Sequence, residues 1–325
     1  MNVLVGDVGG TKCLLAICDD RGRILLDRRY PSRDYAELHQ VVAAFVREAG
    51  ETPTRACFAV AGPVVNDQCK ATNLPWVIDA RALEAAAGIA RVRLVNDFHA
   101  QALAVLELPP AELCTIHGGA SVGGGPVAIL GAGTGLGEAF LVNAGDRYEV
   151  VPSEGGHVDF APTSERQIDL LRYLRATLGG RVSYERILSG SGLARLYEFL
   201  KSRGFARELP EVRAAMERED PAAVVSRFGL GGQDPMCAFA LDLFCEIYGQ
   251  EAGNLALKVL AAGGVYVCGG IAPHIIDRLA QPDGPFERGY LDKGRMSPLV
   301  AAIPVRVVMN PKSGLVGAAV AATRL

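Results

Sequence analysis

Residues 5–12 read Val-Gly-Asp-Val-Gly-Gly-Thr-Lys and bring together three kinds of group that handle phosphate. Gly9 and Gly10 have no Cβ and can adopt positive φ, so their backbone N–H groups can approach an anion closely. Thr11 adds a hydroxyl donor, and Gly6, Asp7 and Val8 lead into the turn from an apolar run that begins at Asn2. Asp7 makes sense beside a phosphate only if a divalent cation comes with it. The same residue types also suit a plain Gly-Gly hairpin with a strand-end aspartate.

The grammar recurs. Val127–Leu130 reads as a strand, 131–137 (Gly-Ala-Gly-Thr-Gly-Leu-Gly) as a glycine-rich turn, and Glu138–Asn143 as a strand again. Gly133, Thr134 and Gly135 are its candidate phosphate residues. A third glycine pair, Gly269-Gly270, ends the strand Val265–Cys268 ahead of a helix-like segment. Two such hairpins about a hundred residues apart suggest two related α/β halves. Neither loop is a Walker A motif or a G-x-G-x-x-G dinucleotide loop: Thr11 separates Gly10 from Lys12, and position 136 is Leu in a run that opens a strand.

A second chemistry needs a proton acceptor. Asp97 follows the strand-like Arg93–Asn96, at the carboxyl end where α/β domains bind ligands. A carboxylate there can take the proton of an attacking hydroxyl, or it can cap the helix beginning at Phe98; position alone leaves both open. Asn96 can donate to and accept from neighbouring hydroxyls. Glu154, His157 and Glu185 lie among or after turn glycines and suit a polyhydroxyl ligand, since carboxylates accept from two hydroxyls and imidazole donates or accepts. The two glycines of Glu-Gly-Gly-His leave room for a ligand to approach the backbone.

The elements that must position these residues alternate between strand and helix. Residues 2–8, 13–19 and 23–29 read as strands, 35–49 as a helix, 56–61 as a strand, 81–87 as a helix, and 92–95 as a strand followed by a helix to 106. Pro109-Pro110 is a candidate hinge. Glycines cluster in a loop over 118–125; helices are expected over 164–178, 193–202, 210–217 and 235–260, with Arg203–Asp220 a solvated helical excursion. Phe239, Leu243, Phe244 and Ile247 form a core stripe, and Ser313 is a candidate cap for a helix over 314–322.

Composition limits the remaining classes. The chain has 325 residues, 50% of them hydrophobic, and a formal net charge of −3, with no basic run to suit nucleic acid. Its eight cysteines contain no C-x-x-C pair and read as small buried hydrophobes in a reducing compartment. No basic-then-apolar leader and no apolar stretch of the ~20 residues needed for a membrane span is present, so a cytoplasmic protein is expected.

Five strings, Asp7–Thr11, Leu94–Phe98, Gly131–Gly137, Glu154–Phe160 and Glu185–Gly190, resemble the bacterial ATP-dependent glucokinases, in the sugar kinase, Hsp70 and actin fold group. The resemblance runs in order from the N-terminus to Asn310-Pro311. It implies an α/β two-domain actin-like ATPase (ribonuclease H-like) fold, with a cleft between a small domain (1–108 and 308–325) and a large one (109–307). It implies transfer of the γ-phosphate of ATP to the 6-hydroxyl of D-glucose. Gly6, Asp7, Val8, Gly9, Gly10, Thr11, Gly133, Thr134 and Gly135 would hold the phosphates, Gly269 and Gly270 would border the adenosine, and Asp7 would place Mg²⁺ through water. Asp97 would be the base, and Asn96, Asp97, Glu154, His157 and Glu185 would hold the sugar. A homodimer is expected.

Related repressor-type sugar kinases pair a similarly placed His with a zinc-binding cysteine cluster. No Cys lies between Cys114 and Cys237, so zinc is not expected. Lys12 departs from the Asn that glucokinases often carry after Gly-Gly-Thr; it either adds charge near the phosphates or is a solvated strand residue. The rivals are a kinase of another hexose or N-acetylated amino sugar, a sugar-sensing repressor, whose DNA-binding extension is not expected here, and a non-catalytic or chaperone-like ATPase, which would have no reason for Asn96-Asp97 with Glu154, His157 and Glu185.

Overall fold

The structure is a computed structural model and describes residues 2–51, 53–72 and 74–324. The chain divides into two compact units, residues 1–109 with 310–325, and residues 110–309.

In the first unit, β1 (Val3–Val8) and β2 (Lys12–Cys18) form the hairpin expected from the glycine turn, closed by Gly9 N–H donating to the Lys12 carbonyl at 3.0 Å. β3 (Ile24–Pro31) pairs antiparallel with β2, while β4 (Arg55–Val60) and, beyond the small strands below, β8 (Arg91–Asn96) extend the sheet in parallel on the other side of β1. The order is β3-β2-β1-β4-β8. Helix α1 (Leu38–Ala49) buries Leu38, Val41, Val42 and Phe45, the i, i+3, i+4, i+7 stripe of an amphipathic helix, and ends at Gly50 with φ of 71°. A three-stranded sheet, β5 (Val64–Val65), β6 (Gln68–Lys70) and β7 (Val77–Asp79), precedes α2 (Ala80–Ala87), which Asp79 caps by accepting from Ala82 N–H. Helix α3 (Asp97–Ala104) follows β8. The C-terminal helix Ser313–Thr323 packs on α3 and β1; it is built of small residues, and a Cβ at Gly317 would overlap the Ala100 carbonyl.

In the second unit, β9 (Leu113–His117), β10 (Val127–Ala132), β11 (Leu136–Asn143), β12 (Tyr148–Ser153), β13 (Gly264–Cys268) and β14 (Val305–Val308) form one sheet, ordered β12-β11-β10-β13-β14-β9. Its first five strands repeat the first sheet: a central hairpin, a third antiparallel strand outside it, and two parallel strands on the other flank. Helices α4 (Glu165–Leu178), α5 (Gly190–Ser202), α6 (Pro210–Met216), α7 (Pro221–Leu230) and α8 (Pro235–Val259) follow β12 in sequence. Helices α9 (Ile271–His274), α10 (Ile276–Leu279), α11 (Pro285–Leu291) and α12 (Ser297–Ala301) lie between β13 and β14. Helix α8 is buried along most of its length, as an apolar sequence on nearly every side requires. Its Gly249 gives α11 a close approach, since a Cβ there would overlap the Phe286 carbonyl.

Several expectations shift locally. Helix α1 begins at Leu38, because Ser32–Asp34 form a 3-10 turn and Glu37 is extended. The second glycine turn is three residues, 133–135: Gly131 and Gly137 are ladder partners inside the hairpin. Ser313 is the first residue of its helix, and Lys312 occupies the cap position without a side-chain cap bond. The sequence reading did not reveal α7, β9 or β12.

Candidate active site

Within the first unit, Gly6 and Val8 are buried in the sheet, Asp7, Gly9 and Gly10 are partly exposed, and Thr11 is exposed. Gly6 packs against Phe58, whose ring a Cβ would meet at 2.5 Å. Gly9 does not use its freedom for positive φ; a Cβ there would stand 3.4 Å from the Lys12 carbonyl. The turn is buttressed by Ser32, which the sequence reading missed. Its hydroxyl donates to the Gly9 carbonyl at 2.8 Å and its N–H to the Thr11 carbonyl at 3.1 Å. The Asp7 carboxylate lies beside Gly314 in the first turn of the C-terminal helix, 2.7 Å from where a Cβ would be. Burial raises the Asp7 carboxyl above the ordinary carboxylate range, and Lys12 pulls the other way.

At the end of β8 the N-cap position falls to Asn96. Asn96 is the N-cap of α3, its Oδ1 accepting from Phe98 N–H at 2.9 Å and His99 N–H at 3.2 Å. Its amide also donates to the Gly62 carbonyl at 3.1 Å. One amide hydrogen of Asn96 is left for other partners. Asp97 is the first helical residue, with Oδ1 2.9 Å from Phe98 N–H.

Within the second unit, Glu154, His157 and Glu185 come together. His157 Nδ1 lies 3.8 Å from Glu185 Oε1, and its Nε2 lies 3.9 Å from Glu154 Oε2. Both separations exceed a hydrogen bond, and a hydroxyl bonded to imidazole and carboxylate can bridge such a gap. The Glu154 and His157 side chains are 72% and 57% exposed, while Glu185 is 28% exposed. Glu185 Oε2 also accepts from Leu136 N–H at 3.1 Å, directly after the 133–135 turn, and a Cβ at Gly135 would overlap it. Gly190 N–H donates to the Gly133 carbonyl at 2.9 Å, and Ser189 Oγ donates to the Glu185 carbonyl at 2.8 Å. Arg181, also missed from sequence, donates to the His157 carbonyl at 2.7 Å.

The glycines of the Glu-Gly-Gly-His string do not serve the purpose expected of them. Both are buried, and the space beside them belongs to the protein: a Cβ at Gly155 would overlap the Glu138 carboxyl, and one at Gly156 the Leu136 carbonyl. Gly269 does need its conformation, with φ of 85° and the Ala132 carbonyl where a Cβ would stand; Gly270 faces open space.

Paired glycine hairpins on repeated α/β sheets, an aspartate at a strand end and a carboxylate–imidazole cluster are the features on which the resemblance to the sugar kinases rests. The Glucokinase family profile matches residues 4–325. A glucokinase of Nostoc sp. is 41% identical over 341 residues, covering 99% of each chain. A glucokinase of Synechocystis sp. is 42% identical over 351 residues, covering 100% of this chain and 98% of the relative. Among solved structures, a glucokinase from an Antarctic psychrotroph is 31% identical with a TM-score of 0.83, covering 100% of this chain and 99% of its own. A glucokinase from Balamuthia mandrillaris in complex with glucose is 18% identical with a TM-score of 0.82, a likeness of fold. The chain belongs to the glucokinase family. It is an ATP-dependent hexose kinase whose reaction transfers the γ-phosphate of ATP to D-glucose, giving glucose 6-phosphate and ADP.

Proposed function

We propose that Asp97 is the base of this reaction, accepting the proton of the glucose 6-hydroxyl as its oxygen attacks the γ-phosphorus. Asn96, Asp97, Glu154, His157 and Glu185 hold the sugar. The backbone of residues 6–11 and 133–135 holds the phosphates, and Gly269-Gly270 border the adenosine. The units 1–109 with 310–325 and 110–309 serve as the small and large domains.

The observation that carries this reading is Glu185. One carboxylate oxygen is turned to His157 and the other is fixed by Leu136 N–H beside the 133–135 turn, so one side chain links the sugar cluster to a phosphate loop. Asp7 is a single carboxylate next to a glycine turn. That suits Mg²⁺ arriving with ATP and keeping most of its waters, rather than a cation held by a protein cage. When bound, Mg²⁺ offsets phosphate charge; Asp7 would hold it through water. All eight cysteines are free thiols and seven are buried, which supports a reducing, cytoplasmic setting. Assembly as a homodimer rests on the family resemblance.

A sugar panel with ATP tests the sugar site, comparing the wild type with Glu185→Gln. Glucose exceeds fructose and N-acetylglucosamine in kcat/KM in the wild type, and Glu185→Gln raises the glucose KM by roughly tenfold or more, the loss of one charge-assisted hydrogen bond. An unchanged glucose KM removes Glu185 from the sugar site.

A further inference from the structure

Beneath the Glu154–His157 turn lies a carboxyl group that the reaction does not use. Glu138, on β11, is 1% exposed, and neither of its oxygens has a hydrogen-bond partner. Its Oε2 fills the space that a side chain at Gly155 would take, and Ser153 Oγ lies on the same side, 3.0 Å from that position. Buried polar groups are almost always paired, so an orphaned carboxyl under a binding turn calls for a physical account.

The surroundings disfavour charge. Glu251 of α8 is fully buried and faces Glu138; it accepts from Lys258 at 3.1 Å and from Asn254 at 2.9 Å, so those donors are already engaged. Tyr248 of the same helix donates nothing to Glu138; its hydroxyl accepts from Ala132 N–H. Tyr184, before Glu185, faces Glu251 and bonds to Asn254. Burial and the Glu251 charge push the Glu138 carboxyl up to about 8, with Lys258 acting weakly against them.

We propose that Glu138 is a positioning residue: its buried carboxyl is the floor on which Gly155 rests, and that floor sets where the turn holds Glu154 and His157. Ionisation would put a second buried negative charge beside Glu251. The carboxylate would then draw water or shift, and its Oε2 already stands against the Gly155 backbone. The inference rests on Glu154 and His157 contacting glucose, as proposed above.

The test is the pH dependence of the glucose KM and of kcat, from pH 6.5 to 9.5, in the wild type, Glu138→Gln and Glu138→Leu. If only the uncharged form binds well, the competent fraction at pH 9 is about one in eleven, and the wild-type glucose KM rises about tenfold between pH 7 and 9. kcat at saturating glucose and the ATP KM change far less. Both variants, which cannot ionise, keep a glucose KM at pH 9 within about twofold of their own value at pH 7. A flat wild-type profile overturns the proposal, and so does an alkaline rise that persists in a folded variant. If neither variant folds, a flat wild-type profile still overturns the proposal. Glu154→Gln separates this from failure of the site itself: an unchanged glucose KM at pH 7 refutes the sugar contact, whereas a raised one beside an unaltered Glu138→Gln profile refutes only the role of Glu138.

Discussion

Replacing Asp97 by Asn separates catalysis from architecture because the structure assigns the cap to its neighbour. Asn96 Oδ1 receives Phe98 and His99 N–H, at 2.9 and 3.2 Å. Asp97 offers a second acceptor to Phe98 N–H at 2.9 Å, which an amide oxygen at the same place retains. With that bond retained, the helix loses one negative charge in the first turn of its eight residues, worth about 0.3–1 kcal/mol. That lowers the melting temperature by no more than about 4 °C. Asn96→Ala, by contrast, removes the cap and costs about 1 kcal/mol or more, since the Gly62 carbonyl loses its donor as well. On the chemical side, Asp97→Asn deletes the proposed proton acceptor, and kcat falls by roughly 10²–10⁴, equivalent to about 3–5 kcal/mol of barrier. The glucose Kd changes much less. The measurements are steady-state kcat, glucose affinity by calorimetry and the melting temperature. Near-normal kcat in folded Asp97→Asn refutes the base assignment; a melting-temperature loss larger than that of Asn96→Ala refutes the division of roles between the two residues.

Two further outcomes follow from the second unit. Gly135→Ala places a methyl group where Glu185 Oε2 stands, breaking the Leu136 N–H bond; a hydrogen bond to a charged group is worth about 1.5–3 kcal/mol, so the glucose KM rises roughly 10- to 100-fold, read by steady-state kinetics. Glu138 makes the fold pH-dependent: its carboxyl titrates near 8 when folded against 4.5 unfolded, so the folded state holds the extra proton between these values and stability falls as pH rises through that window. Calorimetry of Glu138→Gln against the wild type therefore shows a stability advantage that grows from pH 5 to 8 towards about 4–5 kcal/mol; an advantage that stays constant with pH contradicts the raised titration.

What the sequence determined by itself was the local grammar. The hairpins β1–β2 and β10–β11, and the strand ending at Gly269, follow from apolar runs broken by glycines, and pairing across so short a turn is settled by neighbouring residues. Seeing that grammar twice was enough to expect two related α/β halves, and the sheets repeat the same strand order. Whether Asp97 caps the helix could not be read, because Asn96 and Asp97 side chains both accept from backbone N–H groups and only the backbone angles assign the cap to Asn96. Tertiary structure alone decided what fills the space beside each glycine. Gly155 and Gly156 look from sequence like openings for a ligand, yet Glu138 and the Leu136 carbonyl, brought in by the pairing of β11 with β12, occupy that space. The same holds for Ser32, which reaches the Gly9–Thr11 turn from 21 residues beyond Thr11, and for Arg181, which reaches His157 from another segment. Glu138 itself sits in a strand where nothing nearby in sequence marks it as buried. It is the packing of α8, more than a hundred residues later, that removes its water and brings Glu251 to face it. Desolvation and charge pairing depend on which distant elements close over a side chain, and for that reason the acid under the Glu154–His157 turn was visible only in the fold.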